Sequence, residues 1–389
     1  MGKPIWTEVD LYKLDLIDTL HRWLYDPNPR ALPSKYLFLR GAPGSGKTFD
    51  LRMFARKILT FTKSDKKLAI PMFLDCKRFI YSMPNPLDVT VLDIIKKHCE
   101  KVRTVKEDDL DTMVDRYITM LATGKIFLIL DHADLTPTLL KSISELIRLI
   151  ETRHEQGLRN QKHTKATNKQ TKKRGATYQF IVEKLLPVKL IFAVNSNCIN
   201  TPSQVKMITQ ISNGNNEDGE IRILPLSTKE SYNLLKLHGF NKTYINVLLQ
   251  QLEKHAFLDI IKNPEFLFKT AEHFVDKPVI KKESLALFIF RYMRGKTHTQ
   301  SWQLLNFSLN EVFKKLLIEI SDRYFSADEL FLMVNKIITQ KNTPIQLIGI
   351  TIHLFLQHPL IRSKTVEGKT LYYVMIPFNS LPESIWQKI

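Results

Sequence analysis

The apolar positions of this chain fall into two kinds of run. Short unbroken stretches bounded by polar or turn residues read as buried strands: Tyr36-Leu37-Phe38-Leu39, then 69–75, 125–131, 188–195 and a short one over 221–226. Between them apolar residues recur at helical spacing. Leu11, Leu14, Ile17, Leu20, Trp23 and Leu24 predict a lead-in helix within 5–25, ended by Asp26-Pro27-Asn28-Pro29. Further helices are predicted over 47–60, 86–104, 106–122 and 138–153. Strands that alternate with helices predict a parallel α/β sheet.

Beyond residue 226 the strand signal stops. Ser227-Thr228-Lys229-Glu230 has the spacing of a capping box and opens a helix through Leu237. Helices follow over 243–255, 264–275 and 281–294, and then over 309–321, 326–339 and 344–357. The tail from Leu360 to Ile376 reads as two strands around Glu367-Gly368-Lys369. Three helices and a hairpin predict a winged-helix unit. The expected organisation is a lead-in helix (1–30), an α/β domain (31–226), an all-α helical domain (227–300) and a winged-helix domain (301–389). One stretch, 157–176, is almost wholly polar and basic and predicts a mobile loop inserted in the α/β domain.

One turn in this pattern carries chemistry. Gly41-Ala42-Pro43-Gly44-Ser45-Gly46-Lys47-Thr48 lies between the first strand and its helix and fits G-x-x-x-x-G-K-[ST]. Glycines let backbone N–H groups converge on phosphate oxygens. Lys47 supplies charge for the β- and γ-phosphates, Thr48 a hydroxyl for Mg2+, and the helix its positive end, with Phe49 in its first turn. The strand ending in Asp131 supplies the carboxylate expected opposite Thr48. Asp134, just past the strand end, is a candidate for orienting an attacking water. His132 between them reads as a spacer. Asn195 or Ser196, at the end of the 188–195 strand, is a candidate sensor of the γ-phosphate, with a turn-forming role as the alternative. ATP or ADP with Mg2+ is therefore the expected cofactor.

Charge and cysteine content narrow the setting. The net charge of +18 favours an acidic partner, which makes nucleic acid a candidate. No run of about 18 apolar residues predicts a membrane span. The N-terminus has no signal-peptide pattern. Cys76, Cys99 and Cys198 lack metal-ligand spacing and read as reduced thiols, so a cytoplasmic setting is expected.

Taken in order, these parts resemble the STAND class of P-loop ATPases, and within it the NACHT family, over about residues 10–380. The carriers are Arg22-Trp23-Leu24, Gly41 to Thr48, and Phe127-Leu128-Ile129-Leu130-Asp131-His132-Ala133-Asp134. Ile223-Leu224-Pro225-Leu226-Ser227 and Asn263-Pro264-Glu265-Phe266-Leu267 complete the set. The resemblance implies a nucleotide switch in which exchange of ADP for ATP opens the domains and permits oligomerisation, in immune or antiphage defence. It also implies that Pro264 packs on the adenine. The chain departs from the family at Leu135, at Asn195-Ser196-Asn197 and near Ile376, where a carboxylate, a nearby arginine and a histidine are usual. Slow hydrolysis is expected from that. The alternative is an AAA+ type DNA-binding ATPase of replication initiation or transposition, with Arg362, Lys364 and Lys369 on the wing. Against it, the third helix of the winged unit is nearly all apolar. A third reading is a binding module that holds nucleotide structurally.

Overall fold

The computed structural model describes residues 13–25, 35–64, 69–80, 82–102, 109–171, 188–198, 220–275, 277, 279–297, 309–320, 323–339, 346–358, 361–367 and 369–375. Five strands form a parallel sheet: β1 (Tyr36–Gly41), β2 (Ile70–Asp75), β3 (Ile126–Asp131), β4 (Leu190–Asn195) and β5 (Glu220–Ile223). Their order is β2-β3-β4-β1-β5, so β4 separates the strand ending in Asp131 from the strand that enters the glycine-rich turn. In-register pairing sets Gly41 beside Asn195 and Asp75 beside Asp131. The polar strand ends therefore gather along one edge, where α/β sheets bind ligands.

Alternation along the strands explains the layering. Phe38, Leu128, Leu130, Leu190 and Phe192 face one apolar core, and Leu37, Leu39, Phe127, Ile129 and Ile191 face the other. The second core is closed by α1 (Lys13–Tyr25), through Leu16, Leu20 and Trp23, and by α2 (Lys47–Ser64), through Leu51, Phe54 and Ile58. The first core is closed by α3 (Cys76–Ile80), α4 (Val91–Val102), α5 (Leu110–Ala122) and α6 (Pro137–Thr171). The short α3 was not predicted by the periodicity.

The predicted basic loop at 157–176 is corrected here. α6 continues to Thr171, so 157–171 is helix; residues 172–176 lie outside the described residues. No proline interrupts 157–171, and its one glycine, Gly157, costs only about 1 kcal/mol. A helix nucleated on buried Leu139, Ile143, Leu146 and Ile150 extends into polar sequence without the costly first turn.

The chain then forms α7 (Thr228–Leu237), α8 (Lys242–Lys254), α9 (Leu258–Ile261), α10 (Pro264–Phe274) and α11 (Lys282–Thr297). Ser227 and Glu230 cap α7 reciprocally, as the capping-box spacing predicts. The winged unit comprises α12 (Leu309–Ile320), α13 (Ala327–Thr339), α14 (Gln346–Leu356), β6 (Ile361–Val366) and β7 (Lys369–Val374). β6 and β7 are antiparallel, and Phe325 forms an isolated antiparallel bridge with Tyr372. The fold is thus a five-stranded parallel sheet whose first strand enters the glycine-rich turn, then helices, then a winged helix. One continuous apolar core runs from Leu235 in α7 to Met375 after β7.

Candidate nucleotide site and its link to the winged helix

The glycine-rich turn has the geometry its sequence demands. Gly44 and Gly46 take φ of 76° and 97°, the left-handed region that a side chain disfavours. A Cβ on Gly41 would come within 2.8 Å of Ser45 Oγ. The turn therefore leaves its backbone bare, as a phosphate cradle requires. Lys47 Nζ donates to Gly41 O at 2.6 Å and Ala42 O at 3.0 Å, which keeps the ammonium over the loop. Ala42, Pro43, Ser45 and Thr48 are half-buried at the loop, and Phe49 is 55% exposed beside it. Asp131, at the sheet edge, is 1% exposed. Loop glycines, Lys47, Thr48 and a buried strand-end carboxylate make a donor set that fits Mg-nucleotide.

The loop is also held from the helical region. Asn263 Nδ2 donates to Pro43 O at 2.8 Å, and Glu265 N donates to Gly44 O at 3.3 Å. Asn263 caps α10 through Phe266 N, and Pro264 fills the first helical position, where a missing N–H costs nothing. Pro264 thus stands directly beside the residue that grips the loop.

Asp134 and Asn195 are brought together. Asp134 Oδ2 accepts from Asn195 N at 2.8 Å, and Asn195 Oδ1 accepts from Asn197 N at 3.0 Å. The network continues into the winged unit. Asn197 Nδ2 donates to Leu356 O and Ile361 O, and Ser363 Oγ donates to Asn197 Oδ1. His353 and Gln357 both donate through Nε2 to Asp134 O, at 2.7 and 2.6 Å. Burial pulls the pKa of His353 down, against the nearby Asp134 carboxylate. The third winged helix, α14, therefore lies against the end of the α/β sheet. From Thr351 to His358 every side chain is buried or half-buried.

Two wing residues expected to face DNA, Lys364 and Lys369, are exposed. Arg362 is not, which corrects that expectation. It is 8% exposed, its guanidinium 5.8 Å from the centre of the Phe266 ring. Burial brings its pKa down to about 10. Ile361, Ser363 and Asn197 draw the first wing strand against protein, and Arg362 goes with it. Asn263, Asn197, His353 and Gln357 carry contacts that sequence reading did not assign. A lone histidine in an apolar helix was the one available signal for His353.

Among the described residues no helix is long and apolar enough to cross a membrane. No protein-family model matches the chain, and no curated protein matches it. Solved structures of similar shape include the Aeropyrum pernix ORC2 protein in ADPNP–ADP complexes, at 12% identity and TM-score 0.44, covering 100% of this chain and 97% of that one. The Aeropyrum pernix ORC1 protein in complex with DNA has 12% identity and TM-score 0.46, covering 97% and 90%. AMPPCP-bound DnaA from Aquifex aeolicus has 12% identity and TM-score 0.38, covering 92% and 90%.

Proposed function

We propose that this chain is an ATP- and ADP-binding ATPase of AAA+ type whose bound nucleotide controls a DNA-handling winged-helix unit. Lys47 and the loop N–H groups would hold the phosphates, and Thr48 and Asp131 the Mg2+, which supplies charge neutralisation at the γ-phosphate. The observation that carries the reading is the hydrogen-bonded path from Asp134 and Asn195 to α14 and β6. A change at the phosphate end of β3 or β4 would be felt at the winged unit through Asn197. In this reading Asp134 positions β4 and the winged unit, as well as standing near any attacking water. Slow turnover fits a switch.

The DNA side rests on the net charge of +18 and on exposed Lys364 and Lys369. DNA contact would run through the wing, since α14 is covered. The second reading, a NACHT-type signalling switch acting through oligomers or a partner protein, is favoured by that same covering of α14. Fluorescence anisotropy of a labelled duplex decides between them, with and without Mg-ATP. A DNA-handling ATPase gives affinity that falls steeply with salt, by a log–log slope of about −0.9 per phosphate contact. Lys364→Glu with Lys369→Glu flattens that slope, and Lys47→Ala removes its nucleotide dependence. No binding at low salt in either nucleotide state selects the signalling reading.

A further inference from the structure

A second cluster of ligand-type side chains sits at the other flank of Asp131. Asp75 ends β2 directly beside Asp131, and His132 follows Asp131. One ligand atom from each of Asp75, Asp131 and His132 lies within 4.8 Å of the other two. His132 Nδ1 is 3.2 Å from Asp75 Oδ1 and 3.4 Å from Asp131 Oδ2. Two ligands about 2.1 Å from one metal ion, at tetrahedral to octahedral angles, stand about 3.0–3.4 Å apart. Both separations from His132 match edges of such a polyhedron.

The remaining atoms of the cluster are already engaged in ways that orient it. Asp75 Oδ2 is paired with Arg52 at 3.0 Å, which turns Oδ1 inward. Asp131 Oδ1 accepts from His132 N at 3.1 Å, which turns Oδ2 inward. That Oδ2 is fully buried and accepts no hydrogen bond from any described residue. His132 holds φ at 57°, a strained value for a side-chain-bearing residue, and its ring is thereby set over the end of β2 rather than along β3. Its side chain is 37% exposed, which leaves an approach for the ion and room for water ligands.

We propose that Asp75, Asp131 and His132 bind a first-row divalent transition-metal ion, separate from the nucleotide-linked Mg2+. One imidazole and two carboxylates suit Mn2+, Fe2+, Co2+ or Zn2+ better than Mg2+, which prefers oxygen alone. The ion takes the place of the proton shared by His132 and Asp75. It lies on the β2 side of Asp131, whereas the phosphate loop lies beyond β4 on the other side. The inference shares Asp131 with the proposed nucleotide site but does not need nucleotide to bind.

The test is a Mn2+ titration of the nucleotide-free full chain followed by electron paramagnetic resonance. The expected result is about one bound Mn2+ per chain, displaced by stoichiometric Zn2+ and not by a hundredfold excess of Mg2+. His132→Ala and Asp75→Asn each weaken binding at least tenfold, with unchanged circular dichroism establishing that they fold. Lys47→Ala keeps the Mn2+ site while losing nucleotide, so the two proposals fail separately. Binding that survives both His132→Ala and Asp75→Asn, or that Mg2+ displaces equally well, would overturn the assignment. So would the absence of binding in the unaltered chain.

Discussion

Gly44 is pinned from two sides. Its φ of 76° is open to glycine at little cost, and a Cβ there would stand 2.6 Å from Asn263 Oδ1. Gly44→Ala therefore costs strain and the Asn263 grip together, about 2 kcal/mol or more. Chemical denaturation should show that loss, and nucleotide affinity should fall with it. Lys47→Ala acts differently. It removes a charged donor that would serve the phosphates, so fluorescent-nucleotide affinity should drop about ten- to a hundredfold with little change in stability. At this scale the glycine-rich turn was legible because its glycines and lysine are close in sequence. Asn263 was not assigned, because its partner Pro43 is 220 positions away and Asn-Pro reads first as a helix start.

Among the elements, α14 has the most to say. Its apolar sequence predicts a helix packed on protein, and the structure packs it against the α/β domain. The partner surface was not legible, since Asn197 lies in an Asn-Ser-Asn run that reads as a turn. Asn197→Ala would remove a buried donor from the carbonyls of Leu356 and Ile361, of which Ile361 O keeps its bond from Arg362 Nη1, and would leave Ser363 Oγ without its acceptor. A cost of about 2–4 kcal/mol is expected, appearing as faster hydrogen exchange in α14 and β6. The sheet was legible because each strand is a short apolar run. The length of α6 was not, because polarity speaks against burial and not against helix.

For the whole molecule, buried histidines set the acid limit. Burial, with the Arg362 charge, brings the pKa of His358 down to about 3, from an ordinary 6.5. His353 shifts the same way. His358 is neutral when folded and takes up a proton on unfolding below pH 6.5, so stability is lost as pH falls from there toward 3, and the lowered pKa of His353 adds a loss of the same sign. The slope is up to about 1.4 kcal/mol per pH unit for each histidine. Thermal melts between pH 7.5 and 5 should show a falling midpoint, and His358→Gln should flatten the fall. The order of elements, a parallel sheet followed by helices and a closing hairpin, was legible in the chain. The docking of the winged unit across the sheet edge was not, because it joins residues some 160 to 220 positions apart through backbone carbonyls.

The proposed switch needs nucleotide to reach α14 through Asp134, Asn195 and Asn197. Hydrogen exchange of residues 346–356, measured with and without Mg-ATP, tests that most directly. Protection should change on adding Mg-ATP, with no change in Lys47→Ala and a weakened one in Asn197→Ala. Unchanged protection in a chain shown to have bound ATP would contradict it.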